Sequence, residues 1–211
     1  MDGLIIHTDP QGSDAWLQAR RGVITGSRFK DCRDKLKNGT PSKKCADYAK
    51  DVAREREGGE PMSVFVNGAM RLGTEQEEPA RDTYQLKTKN FVEEAGFITT
   101  ADRLFGVSVD GLVGEDGIIE IKTMVSSDTL FAAFVDGDIS SYIDQCNGAM
   151  WLLGRKWIDL VLWVHDLKRM KIIRINRNDD HIEALESDLM EFERTATKYQ
   201  QALRLALKEA A

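Results

Sequence analysis

The chain has 211 residues, 42% of them hydrophobic and 30% charged, with a net charge of −6. This is the composition of a globular domain long enough to bury a core without disulfides, which excludes a disordered or membrane-spanning chain. The acidic balance also argues against a protein that coats nucleic acid through an evenly basic surface, although positive charge concentrated in one channel stays compatible with it. Three cysteines (Cys32, Cys45 and Cys146) are far apart and form no CxxC pair, so neither a zinc site nor a disulfide framework is expected. The N-terminus lacks a basic start followed by an apolar stretch, and a cytoplasmic protein with no membrane contact is the expectation.

Ser13-Asp14 predicts a capped helix over Asp14 to Arg20, and Thr25-Gly26-Ser27 a second helix over Ser27 to Leu36. After the loop at Asn38 to Ser42, helices are expected over Lys43 to Glu57 and Val64 to Lys87. Pro79 should kink the latter or mark a new start. Phe91 to Thr99, Leu104 to Val109 and Gly117 to Thr123 read as a meander of three strands, with Gly111 to Asp116 as the last turn. Helices over Ser126 to Asp136 and Ser140 to Leu153 follow. Next comes a strand pair over Trp157 to Val164 and Met170 to Ile175, and then an amphipathic helix over Asp179 to Ala210. The order gives a single mixed α/β domain over 1–211, a central mixed sheet flanked by helices.

The chemistry concentrates in Val109-Asp110-Gly111-Leu112 and Ile118-Ile119-Glu120-Ile121-Lys122-Thr123. Alternation along a strand puts Glu120 and Lys122 on one face, about 7 Å apart. A hairpin of this length brings Asp110 beside Glu120. Two converging carboxylates suit Mg2+, a hard ion that takes oxygen ligands and keeps waters and phosphate oxygens in its shell. Mn2+ has similar preferences and could substitute. The backbone carbonyl of Ile121 is a further candidate ligand. Lys122 adds a point charge that can offset negative charge on a phosphate. Taken alone, Glu120 and Lys122 also read as a structural ion pair, and Asp110-Gly111 as an ordinary turn.

This D-G-L…I-E-I-K pattern resembles the PD-(D/E)xK nuclease superfamily, with Val109 in place of the proline. Three further stretches resemble the phage lambda exonuclease family, the YqaJ-like viral recombinases. They are Trp16 to Ser27 (W-x-x-x-R-x-G-x-I-T-G-S), Gly73 to Arg81 (G-x-x-x-E-x-x-A-R) and Tyr142 to Trp151 (Y-x-x-Q…M-W). The matches run in the family's order over most of the chain.

The resemblance implies a restriction-endonuclease-like core with Asp110 and Glu120 as metal ligands and Lys122 as the catalytic lysine. It implies Glu77 as a further acid near a metal, and Gln145 as a group that positions substrate or water. Gly73, Glu77 and Arg81 fall on one helix face, and Gly73 would allow a close backbone approach. Arg20 and Ser27 would bind the 5′ phosphate of a DNA end, a choice of Arg20 over Arg21 that rests on the motif match alone. The activity implied is 5′→3′ degradation of one strand of duplex DNA, leaving 3′ single strands for recombination. A homotrimeric ring around the DNA and a single-strand annealing protein as partner are implied with it. A structure-specific endonuclease and an inactive DNA-binding subunit are the alternatives. The tryptophans Trp16, Trp151, Trp157 and Trp163 read as core or subunit contacts, and the scattered histidines suggest no site.

Overall fold

The computed structural model describes residues 3–61 and 68–210. The chain is mixed α/β and divides into two compact units that alternate along the sequence. The first comprises Met1–Ser63, Gly96–Ser108 and Asn178–Ala211, and the second Val64–Ala95 and Val109–Arg177.

In the first unit, β1 (Leu4–His7), β2 (Ile24–Thr25), β3 (Phe97–Thr100) and β4 (Phe105–Ser108) form a sheet in the order β1-β3-β4-β2. Only β2 and β4 run parallel. Helix α1 (Asp14–Arg20) starts where Ser13 accepts the Trp16 amide, and a single 3₁₀ turn at Gly26–Arg28 leads into α2 (Phe29–Cys32). Helix α3 (Lys43–Arg56), capped by Ser42, packs along the C-terminal helix α7 (Asp179–Glu209). Ile24, Phe29, Tyr48, Phe105, Leu185 and Phe192 are buried in this unit, and the Tyr48 and Phe192 rings of the two helices lie 5.1 Å apart. The expected helix to Leu36 stops at Cys32. The chain there folds back on itself through a bridge between Lys35 and Pro41, and Arg33 and Lys35 pair with Asp188 on α7. Tertiary ion pairs and that turn override a weak local helix preference.

The second unit holds α4 (Gly68–Thr88), β5 (Gly111–Val113), β6 (Gly117–Thr123), α5 (Ser127–Leu130), α6 (Ser140–Leu153), β7 (Trp157–Val164) and β8 (Arg169–Asn176). Its sheet has the order β5-β6-β7-β8, with β6 and β7 parallel and both edges antiparallel. Strand β7 reads Trp-Ile-Asp-Leu-Val-Leu-Trp-Val and is buried along nearly its whole length, as a central strand covered on both faces must be. Its one charged residue, Asp159, is buried but paired with Arg174 and the Tyr84 hydroxyl (2.7 Å), which meets the cost of burying a carboxylate. Ala80 and Tyr84 of α4 pack on Ile119, Ile121, Val161 and Trp163. Those odd-numbered residues cover one face of the sheet, so Ile118, Glu120 and Lys122 line the other.

Four expectations change. The three-strand meander does not form one sheet: β3 and β4 pair in the first unit, whereas β6 pairs with β5 and β7 in the second. Gly111 begins a strand instead of a turn, since it pairs with Ile119 of β6; a β-carbon there would meet Val92 Cγ1 at 2.2 Å, which accounts for the glycine. The turn is confined to Gly114 to Asp116. Helix α4 runs through Pro79 without a break, since Pro79 is solvent-exposed and the carbonyl it leaves unpaired can reach water. Residues 64–67 of that expected helix lie outside the described residues. The helix expected over Ser126 to Asp136 is α-helical only to Leu130 and continues as a π turn over Phe131–Val135. The four-residue β1, an apolar Leu-Ile-Ile run without alternation, and the two-residue β2 are too short to be read from sequence.

Candidate active site

The candidate site is built on β6, on the junction before β5, and on helices α4 and α6, all within the second unit. Antiparallel pairing sets Gly111 opposite Ile119, and one step further along that register puts Asp110 opposite Glu120. The Asp110 carboxylate is anchored there: its Oδ2 accepts the Ile121 amide at 2.6 Å. Glu120 is 4% exposed. Its Oε1 accepts from Lys122 Nζ at 2.7 Å and from Gln145 Nε2 at 2.6 Å. Its Oε2 is buried with no hydrogen-bond partner.

The electrostatics fit this crowding. Burial, together with the neighbouring charge of Glu120, pushes the Asp110 carboxyl well above the usual carboxylate range. Burial also raises Glu77, with Arg81 opposing the rise and Glu120 adding to it. For Lys122, burial works against the ammonium, but Glu120 and Asp110 outweigh it and its pKa lies above the ordinary lysine value. Lys122 is therefore a cation at neutral pH. Its Nζ also lies 5.9 Å from the centre of the Tyr142 ring, one helical turn before Gln145 on α6.

An acceptor oxygen that is buried, ionisable and unpaired is costly unless a cation meets it. Glu120 Oε2 is such an oxygen, on a residue that the register sets opposite Asp110, and an all-oxygen donor set of this kind suits Mg2+ or Mn2+. Among the described residues no group of three or more His, Cys, Asp or Glu side chains is placed to hold a metal ion, so Asp110 and Glu120 stand as a pair. Ile121 is tied to the site through its amide; its carbonyl is the atom that the sequence proposed. Glu77 is half-buried on α4 and interacts electrostatically with Glu120 and Lys122. Gly73 has open space where a β-carbon would stand, among the described residues, so the close backbone approach expected of it does not occur.

Arg20 and Ser27 belong to the first unit. Arg20 lies 4.3 Å from the Trp16 ring centre and 5.0 Å from that of Phe97, and donates to the Ser108 hydroxyl at 3.3 Å. Burial lowers its pKa, but it stays cationic. Arg21 differs in its partners. It donates to the Gly58 and Gly59 carbonyls and is thereby committed to holding a loop. Ser27 is exposed in the turn Gly26–Arg28.

Two contacts escaped the sequence. Arg81 Nε reaches the Asp110 backbone carbonyl at 3.3 Å, and the Cys146 thiol lies close enough to Glu120 and Lys122 to feel both charges. Arg81 was visible only as the last residue of a matched motif, and Cys146 only as the neighbour of Gln145. The three cysteines are buried free thiols. Trp151 and Trp163 are buried and Trp16 and Trp157 half-buried, as core anchors should be.

The model of the YqaJ-like viral recombinase domain matches residues 15–156. No curated protein matches the chain. Among solved structures, an alkaline exonuclease (LHK-Exo) from Laribacter hongkongensis is 29% identical with a TM-score of 0.82, covering 94% of this chain and 100% of its own. The same enzyme in complex with dAMP is 30% identical, with equal coverage and TM-score. A phage-related exonuclease from Haemophilus somnus 129PT is 16% identical, with a TM-score of 0.66 over 88% of this chain and 96% of its own, and shares the fold. With a domain match over most of its length, the chain belongs to the YqaJ-like viral recombinase family, among the exonucleases of the phage lambda type.

Proposed function

We propose that the chain is a divalent-metal-dependent 5′→3′ exonuclease that degrades one strand of duplex DNA from its ends, leaving 3′ single strands for recombination by annealing. The observation that carries the reading is Glu120. One of its oxygens is held by a lysine and a glutamine, and the other is left buried and unpaired. The solved relative is an alkaline exonuclease, which supports that reaction class.

Asp110 and Glu120 would hold Mg2+, or Mn2+ in its place, with the Ile121 carbonyl as a further ligand and Glu77 as an acid nearby. When bound, such an ion lowers the pKa of a water and neutralises charge on the phosphate. Gln145 and Lys122 both donate to Glu120 Oε1 and so orient that carboxylate. The Lys122 ammonium offsets negative charge that grows on the phosphate during attack. Arg20 and Ser27 would bind the 5′ phosphate. Arg20 suits this role because a planar guanidinium gives paired contacts to phosphate, and because its neighbours are aromatic rings and one hydroxyl. A trimeric ring and a single-strand annealing partner complete the proposal by family resemblance. Presence of all three of Asp110, Glu120 and Lys122 speaks against an inactive DNA-binding subunit.

The test is digestion of end-labelled linear duplexes carrying a 5′ phosphate or a 5′ hydroxyl, with Mg2+ or with EDTA, beside a covalently closed circle. Loss of the 5′-phosphorylated strand, abolished by EDTA, is expected. Cutting of the closed circle would favour a structure-specific endonuclease.

A further inference from the structure

Arg81 lies on α4, one turn beyond Glu77, with a side chain only 14% exposed. Its guanidinium uses two donors at once. Nε meets the Asp110 carbonyl at 3.3 Å, and Nη1 meets Glu94 Oε1 at 2.5 Å. The Glu94 side chain is 76% exposed, so that ion pair contributes little by itself. The covered end of the guanidinium is the end that touches Asp110.

The carbonyl it touches is informative. It belongs to the peptide joining Asp110 to Gly111, and a glycine places few steric limits on that peptide plane. Gly111 brings no side chain to hold that plane, so its orientation depends on the pairing of β5 with β6 and on what meets the Asp110 carbonyl. The carboxylate is held from the β6 side by the Ile121 amide. The main chain is held from the α4 side by Arg81.

We propose that Arg81 is a positioning residue that clamps the Asp110 backbone and so aims the Asp110 carboxylate at the cation. This rests on the reading of Asp110 and Glu120 as metal ligands. Lysine cannot replace it fully. One ammonium on a flexible stem lacks the flat fork that reaches the Asp110 carbonyl and Glu94 together. Residues that orient metal ligands usually cost 10–100-fold in metal affinity when removed.

The experiment is calorimetric titration of the full-length protein with Mn2+, without DNA, for wild type, Asp110→Asn, Arg81→Gln, Arg81→Lys and Glu94→Gln. Thermal melting in EDTA accompanies each, to register folding. We expect Arg81→Gln to weaken Mn2+ binding about tenfold or more, with Arg81→Lys recovering part of it. Glu94→Gln should stay within about twofold of wild type. Wild-type affinity in both Arg81 variants, or an equal loss in Glu94→Gln, overturns the proposal while leaving the metal site intact. Mn2+ binding that is absent in wild type, or unaffected by Asp110→Asn, overturns the metal-ligand reading and this inference with it. If Arg81→Gln does not fold, Arg81→Lys decides: weakened binding supports the clamp and unchanged binding sinks it.

Discussion

Gln145 and Lys122 donate to the same oxygen of Glu120, at 2.6 Å and 2.7 Å, and leave the other oxygen of that carboxylate buried and bare. Helix α6 thus fixes which face of the carboxylate remains for a cation. A side chain two positions from Glu120 and another 25 positions away do the same job.

Gln145→Ala should lower turnover about 10–100-fold while DNA affinity stays near wild type. The comparison is single-turnover digestion of a linear duplex against a binding isotherm measured in Ca2+ or EDTA. Parallel losses in both would make Gln145 a DNA contact instead.

Lys122→Ala should cut turnover by about 10²–10³-fold, the usual cost of losing one group that stabilises transition-state charge. Because the ammonium stays charged through neutral pH, Lys122→Arg should restore part of the rate. A rate that falls no further than DNA binding does would remove the lysine from the chemistry.

The crowded carboxyls make a stability prediction with a definite sign. Asp110 has a folded-state pKa raised well above its unfolded value by burial and by Glu120. Between those two values the native state binds more protons than the unfolded one, so stability falls as pH rises through that window. Without metal, Asp110→Asn should therefore raise the melting temperature at pH 8, by roughly 2–4 °C per kcal/mol relieved, and much less at pH 4. Asparagine still offers an oxygen to the Ile121 amide. Equal effects at the two pH values would mean the charge is not the cause.

Arg20→Ala should reduce the preference for 5′-phosphorylated over 5′-hydroxyl ends by about tenfold, the worth of one charge-assisted contact. Arg20→Lys should rescue it poorly, because a lysine does not fork onto phosphate and lacks the planar group that lies near the Trp16 and Phe97 rings. The ratio of initial rates on the two ends gives the answer, and an unchanged ratio assigns the phosphate elsewhere.

Cys146 is buried, and burial with the nearby Glu120 charge pushes its thiol up to about 12. Burial likewise raises Cys32 and Cys45. Thiolate is the reactive form, so iodoacetamide at pH 8 should label none of the three in the native protein and all three in denaturant. Mass spectrometry reads the count. Rapid labelling of Cys146 in the native state would contradict its enclosure beside Glu120.

Local chemistry carried much of this molecule into the sequence. Ser13 and Ser42 announce helix starts, Gly154 ends α6 in the left-handed conformation that a helix C-terminus favours, and the apolar run of β7 marks a strand covered on both sides. Strand alternation alone put Glu120 and Lys122 on one face. The partition of the strands was not legible: β3 and β4 read as neighbours of β6, yet pairing divides them between two sheets, because which strand bonds to which depends on contacts far apart in sequence. The same holds for the site's supports. That Arg81 grips the Asp110 carbonyl, that Arg21 rather than Arg20 is committed to a loop, and that one oxygen of Glu120 stays unpaired are outcomes of packing. Residue type and spacing fix what chemistry each side chain can offer and which face of its own element it occupies. Only the folded chain decides which donors are already spent and which oxygen remains for the cation.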